Sequence, residues 1–402
     1  MIEAFREKVK KGGMKVSVCF PTRFHGYYLA DQLQQRGALA YLYTAYFGRL
    51  GRRRNDHGVN IPRSQVRTNL LAAGLIYGFN PKDDLFAKKY FGEWVAKNLA
   101  NEDIVITLGQ SSLPILRRVK ELGITAILER GSSHVHYQRD ILFEEYERWG
   151  GPVEDLKGSF SAERTEQELL EYELADYVAI PSSFVERTFL EQYFPQEKLL
   201  KNPYGVDLRE FRQLPKEDDV FRVVYAGSMS LRKGVHYLLQ AWSELKLPDA
   251  ELWLVGGKLP EIEPFLEQYT GSYRYFGHQP QAELHKLYSK CCVFAMCSIE
   301  EGMAMVQLQG MSCGLPLLCT PNTGGDDLVE EGKEGFIVPI RDVETLKERF
   351  LYLYEHRDIC YEMGQAAKQK VQQGFTWNDY GERAVKKYME LVDNGGYRPY
   401  LT

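Results

Sequence analysis

Short apolar runs alternate with longer stretches of helical period along most of the chain. KVSVCFP (15–21), LAYLYTA (39–45), DIVITLG (103–109), TAILER (125–130) and DYVAIPS (176–182) are rich in Val, Ile and aromatic residues, which predicts strands. After NPYGVDLREF (202–211) the pattern restarts with FRVVYAG (221–227), AELWLVG (250–256), CCVFAMC (291–297), LPLLCT (315–320) and GFIVPI (335–340). Strands that are apolar throughout, joined by helical crossovers, belong to parallel sheets covered on both faces. Two such series predict an α/β chain of two Rossmann-like domains, with Pro203, Gly205 and the charged LPKEDD marking the join. A ligand is expected between the domains, at the carboxyl ends of the strands.

The length of 402 residues agrees with two domains. No apolar run approaches the ~18 residues of a membrane span. The opening MIEAFREKVKKGGM lacks the apolar stretch of a secretory signal, so a cytoplasmic protein is expected. Seven cysteines without metal-ligand spacing read as reduced core thiols. The net charge of -5 conceals an asymmetry: residues 1–80 carry 13 Lys and Arg against 4 Asp and Glu, or +9, leaving -14 for the remainder. The densest cationic run is Arg49, Arg52, Arg53 and Arg54, and IPRSQVRTNLLAAGLIYGF (61–79) mixes arginines with an apolar stretch as an interfacial segment does. One face is therefore expected to meet something anionic, such as a membrane surface. An acidic chain without a recognised nucleic-acid module makes nucleic acid a poor partner.

Two loops carry the candidate chemistry. In YAGSMSLRKGVHYLLQAW a strand ends at Gly227, and Arg232 and Lys233 precede a helix. Two cations beside a helix start suit a diphosphate, although such a pair taken alone reads equally as a solvated loop. In SIEEGMAMVQLQGMSCGLPLL (298–318) the helix is predicted to begin near Ala304, so Glu301 precedes it and Gly302 allows a close backbone approach. The N–H groups of Met303, Ala304, Met305 and Val306 then point outward as unpaired donors, and Gln309 lies two turns in. There is no G-x-G-x-x-G, no G-x-x-x-x-G-K-[ST] and no D-x-D.

G-x-x-x-x-R-K-G (227–234), E-G-x-x-x-x-x-L-x-x-M-x-C-G-x-P (301–316), ADYVAIPSSFV (175–185) and NPYGVD (202–207) together resemble the retaining glycosyltransferases of the GT-B fold, family GT4 (glycosyl transferases group 1). The resemblance implies an acceptor-binding domain 1–205, a nucleotide-sugar domain 206–374, and a terminal segment 375–402 that crosses back to complete the first domain. It implies a metal-independent hexosyltransferase-type enzyme of class EC 2.4 with no cofactor, whose co-substrate is a UDP- or GDP-linked sugar. The implied acceptor is a glycan, a lipid-linked molecule or a small molecule.

Arg232 and Lys233 would hold the donor diphosphate and stabilise the leaving phosphate. Glu301 would bind sugar hydroxyls, and the Gly302–Val306 amides would lie near sugar and phosphate. Gln309 stands where the family usually has a second glutamate, which binds the ribose diol. The loop at Gly277 and His278 would contact the base. His134, in ILERGSSHVHYQRD after Glu129 and Arg130, is assigned to the reaction centre, with His136 as the alternative; His25 and Gly26, in the first strand-to-helix loop, are assigned to the diphosphate or acceptor side, together with Arg130. Two rival readings are a GT-B enzyme of other chemistry, such as a nucleotide-sugar 2-epimerase, and a catalytically silent sugar-nucleotide-binding subunit.

Overall fold

The computed structural model describes residues 13–47, 59–78 and 84–393. Seven parallel strands form the first sheet: β1 (Val16–Cys19), β2 (Leu39–Thr44), β3 (Val66–Thr68), β4 (Ile104–Leu108), β5 (Thr125–Glu129), β6 (Tyr177–Ile180) and β7 (Leu199–Lys201), in the order β3-β2-β1-β4-β5-β6-β7. Six parallel strands form the second: β8 (Phe221–Ala226), β9 (Ala250–Val255), β10 (Arg274–Tyr275), β11 (Val293–Met296), β12 (Leu317–Cys319) and β13 (Gly335–Ile337), in the order β10-β9-β8-β11-β12-β13. The architecture is the expected α/β pair of Rossmann-like domains. Each of the ten runs predicted as strands contains one. The three unpredicted strands, β3, β7 and β10, are two or three residues long and lie at sheet edges, where little burial is required and no period can develop.

Strand order reverses beside β1, which pairs with β2 and β4, and beside β8, which pairs with β9 and β11. The loops leaving these strands therefore diverge and open a crevice at each sheet's carboxyl edge. Every residue of β1 and β8 is buried, the reason their sequences show no alternation. All seven cysteines are unpaired.

The helix Trp377–Asp393 returns to the first domain. Thr376 and Asp379 cap it reciprocally, with Thr376 N bonded to Asp379 Oδ2 at 2.9 Å and Asp379 N to Thr376 Oγ1 at 3.1 Å. Trp377 stacks on Tyr28 of the helix His25–Gln35, with ring centroids 4.1 Å apart and planes inclined by 4°. Arg36, the residue that ends that helix as its C-cap, donates to Asn378 Oδ1 at 3.0 Å.

The two domains are also joined through the helix Val135–Trp149. At its far end Glu145, fully buried, meets His236 Nε2 at 2.9 Å and Arg341 Nε at 2.7 Å, and Trp149 Nε1 donates to Tyr237 OH at 2.9 Å. Leu231 inserts from the second domain among Leu142, Tyr146 and Leu156 of the first. Buried charge of this kind is costly to leave without its partners, so these contacts favour the closed arrangement seen here.

Candidate active site

Glycines press the two loops of the second domain together. Gly234 has φ +64°, and a Cβ there would lie 2.0 Å from the Cys297 carbonyl oxygen, so the loop after β8 lies directly on the end of β11. Ile299 N donates to Arg232 O at 2.9 Å, which ties the two backbones together. Arg232 and Lys233 are thereby brought beside the acidic pair. Arg232 Nε meets Glu300 Oε2 at 2.8 Å and Arg232 Nη2 lies 3.5 Å from Glu301 Oε1, while Lys233 Nζ forms an ion pair with Glu301. Burial, assisted by the neighbouring Arg232, pushes the Lys233 ammonium down to about 7.

The helix Met305–Ser312 starts behind this cluster. Ala304 is its N-cap residue and supplies no side-chain cap; the Gln307 N–H turns back to Ala304 O at 3.0 Å, which leaves the Met305 and Val306 N–H groups for the site. Met303 and Ala304 are buried, whereas Met305, Val306 and Gln309 are half-buried. Met305 and Gln309, four residues apart on one face, line a cavity of about 190 Å³ together with Arg23, Tyr28, Glu210 and Trp377. Gln309 Oε1 is buried there without a hydrogen-bond partner. Gln281 Nε2 donates to Glu210 Oε2 at 2.9 Å on the same wall, and burial raises the Glu210 carboxyl above its ordinary range.

The first domain closes over these loops. A Cβ on Gly302 would lie 1.8 Å from the Gly131 carbonyl oxygen, and Ser182 Oγ donates to Gly302 O at 2.7 Å. Arg130 is buried, paired with Glu168, and its Nε and Nη2 donate to Ser133 O at 3.0 and 2.9 Å. It braces the loop and stays behind it.

The histidines lie elsewhere. His134 caps the helix Val135–Trp149: its Nδ1 accepts from His136 N at 3.3 Å and its ring packs on Tyr172 and Phe189. Burial, with His136 and Arg130 nearby, pushes it down to about 3, so it is neutral at physiological pH. The residue that this loop sends across the cleft is Ser133. His136 sits 3.3 Å from Gln192 Oε1. His25 is wholly buried, 3.1 Å from Glu129 Oε2 and 4.6 Å from the Tyr204 ring, beneath the loop that was expected to present it. Gly26 backs onto the Phe20 ring. Gly227 has φ +146° at the end of β8, where its carbonyl would lie 2.0 Å from a Cβ on Gly256. Gly277, at φ +64°, accepts from Gly256 N at 2.8 Å, and His278 beside it is exposed.

The structure thus gathers Arg232, Lys233, Glu301, Gly302 and the helix start, places Gln309 along the same helix, and leaves His25 and His134 in the first-domain interior. Sequence reasoning missed Ser133, Gln138 and Glu300. The acidic pair was visible, but nothing in its spacing tells which carboxylate faces the neighbouring domain.

Residues 207–370 match the family model of the glycosyl transferases group 1. A glycosyltransferase domain therefore makes up most of the second half. The group 1 match contains both loops described above. Among curated relatives, the chain is 28% identical over 157 residues to a putative glycosyltransferase, EpsD, of Bacillus subtilis, covering 38% of this chain and 41% of that protein. It is 24% identical over 219 residues to a probable sucrose-phosphate synthase of Thermosipho melanesiensis, covering 49% and 48% respectively. The aligned stretches span about half the length of these relatives. Solved structures match across both domains: a sucrose-phosphate synthase of Thermosynechococcus elongatus has a TM-score of 0.72 at 19% identity, covering 95% of this chain and all of that one. HepE of Anabaena, in complex with UDP and glucose, has a TM-score of 0.68 at 16% identity over 94% of this chain and all of that one. The fold is GT-B.

Proposed function

We propose that this protein is a retaining, metal-independent glycosyltransferase of the GT4 type, which moves a sugar from a nucleotide-sugar donor to a glycan, lipid-linked or small-molecule acceptor. The observation that carries the reading is the Arg232–Lys233 pair, set against the uncapped start of the helix Met305–Ser312 at a topological switch point. Fixed cations and backbone N–H groups aimed at one spot meet the negative charge that grows on a departing nucleoside diphosphate, and that is usually the largest catalytic contribution. With the leaving phosphate itself assisting deprotonation of the acceptor, the sugar is transferred on the face it left. Glu301, paired with Lys233 in the free protein, exchanges that partner for sugar hydroxyls when the diphosphate takes over the cation. The UDP complex of HepE recommends UDP-linked sugars as the first donors to try. A panel of UDP-, GDP- and ADP-sugars should give slow hydrolysis of one donor, followed by mass spectrometry; binding without turnover across a broad acceptor panel would favour the silent subunit.

Gln309 is assigned to the ribose. Its orphaned Oε1 accepts from a hydroxyl, yet without the charge that strengthens such a bond roughly twofold. Gln309→Glu is expected to keep or tighten nucleotide binding, measured by titration calorimetry. A clear weakening would show that the cavity has been rebuilt around the amide and would remove the ribose assignment.

The acceptor side is proposed to rest on an anionic membrane surface at the cytoplasmic face. The helix Leu70–Gly78 (LLAAGLIYG) is apolar throughout, and Leu70 and Leu71 are 75% and 71% exposed, with Phe86 at 63%. Arg63, Arg67 and Lys89 are exposed on the neighbouring segments. Apolar side chains with a cationic rim suit anionic lipid. Arg49, Arg52, Arg53 and Arg54 lie outside the described residues. No helix among the described residues is long and apolar enough to cross a membrane. Sedimentation with vesicles containing phosphatidylglycerol at physiological salt should capture the protein, and L70E/L71E should lower capture roughly tenfold or more. Equal capture of the variant, or none of the wild type, would sink the idea.

A further inference from the structure

Glu300 is fully buried at the end of the loop after β11, and donors from both domains converge on it. Its Oε1 accepts from the Ser133 N–H at 3.0 Å and from Ser133 Oγ at 2.7 Å. Its Oε2 accepts from Gln138 Nε2 at 2.9 Å and from Arg232 Nε at 2.8 Å. Three of these donors belong to the first domain and one to the second. The first-domain half is braced from behind: Arg130 grips Ser133 O and also donates to Gln138 Oε1 at 2.9 Å, with Glu168 paired to it. Burial alone would raise the Glu300 carboxyl, but Arg232 and the donors from Ser133 and Gln138 outweigh it and hold it down to about 2. The group stays ionised throughout the working range.

The geometry assigns Glu300 as a positioning residue that couples closure of the cleft to the aim of Arg232. In the closed molecule both carboxylate oxygens are fixed by the first domain, so the guanidinium is anchored through Nε with its Nη2 turned to Glu301, 3.5 Å away. When the domains part, Glu300 loses the Ser133 and Gln138 donors, and Arg232 keeps a partner that is no longer fixed. Glu300 lies behind Arg232 and acts through it. Proper aim of the cation is therefore available only after water has been excluded. The inference rests on Arg232 being a diphosphate ligand.

Glu300→Gln tests the carboxylate, and Ser133→Ala with Gln138→Ala tests the coupling from the opposite wall with the ion pair intact. Coupling energies of this kind correspond to roughly 5- to 150-fold effects. Both variants should lower kcat within that range. Donor KM should stay unchanged or fall in E300Q, because a negative charge beside the diphosphate is gone. Hydrogen exchange of the Ser133 amide, measured without any nucleotide, should speed up in E300Q, and small-angle scattering should show a larger radius for both variants. A rise in KM at constant kcat, or a double alanine variant with wild-type kcat, would overturn the assignment. If the wild type hydrolyses no donor, the proposed activity fails by itself; exchange and scattering then decide the clamp, and wild-type protection and radius in E300Q would overturn it.

Discussion

Gly302→Ala is expected to lower turnover by about 100-fold or more while leaving each domain folded. The added Cβ would fall 1.8 Å from the Gly131 carbonyl oxygen and 2.5 Å from its carbonyl carbon, and 3.2 Å from Pro181 Cγ. The first two obstacles are backbone atoms of the opposing domain, so no side chain can swing aside to admit the methyl group. The backbone at Gly302 does not occupy the left-handed region, and alanine costs little there by itself. Relief comes only from parting the domains at the point where the Glu301–Gly302 turn, proposed as the sugar cradle, meets the first-domain loop. That movement also lengthens the Ser182 Oγ to Gly302 O bond, now 2.7 Å, and pulls Glu300 away from Ser133. Reacting groups displaced by about 1 Å lose on the order of 100-fold in rate. Nucleotide binding to the second domain should survive, and so should cooperative thermal unfolding. Gly257→Ala serves as the control, because nothing lies within 4 Å of a Cβ at that position. Wild-type turnover in Gly302→Ala would mean that the closed arrangement is not the catalytic one.

Lys233→Ala should abolish donor turnover, with a loss of roughly 1,000-fold or more. On the proposed reading the ammonium is one of two cations facing the diphosphate, and its removal also takes the ion-pair partner from Glu301, leaving that carboxylate only the 3.5 Å contact with Arg232 where phosphate must enter. Stabilisation is lost and repulsion is gained at the same point. Lysine at this position also predicts a pH dependence. Burial and Arg232 hold Lys233 down to about 7 in the free protein. Below that pH the cation is present and kcat/KM for the donor is flat; above it the neutral amine predominates, and kcat/KM should fall towards tenfold per pH unit. Donor binding above pH 7 should take up a proton, which calorimetry in buffers of different ionisation enthalpy detects. Lys233→Arg, with a guanidinium charged above pH 12, should flatten the profile even if the maximal rate drops. The same shift bears on stability. A base whose folded value lies below its unfolded ~10.4 leaves the unfolded chain holding more protons between about 7 and 10. Its penalty is full below 7 and is relieved as pH rises through that window. A profile identical for wild type and Lys233→Arg would remove Lys233 from the donor site.

Much of the fold was legible because burial on both faces writes continuous apolar runs. β1 and β8 could be read directly for that reason. β3, β7 and β10 could not, since an edge strand of two or three residues needs neither burial nor period. The helix start near Ala304 was legible from the Glu-Gly turn followed by an apolar stretch, and Ala304 is its N-cap. The histidines were less readable. A His near a strand's carboxyl end is placed by the loop's path, and in this chain the path buries His25 against Glu129 and turns His134 into a helix cap.

The sequence by itself determined two parallel-sheet domains and which two loops bear the cations and the acidic pair. These are consequences of local period and of residue chemistry, which neighbours in the chain suffice to express. Only the tertiary structure decided the division of labour within the pair. Glu301 meets Lys233 at the site, whereas Glu300 is gripped by Ser133 and Gln138 from a segment more than 160 residues away. Adjacent carboxylates are alike until a second domain supplies donors to one of them, and those donors come from the way the two sheets face each other.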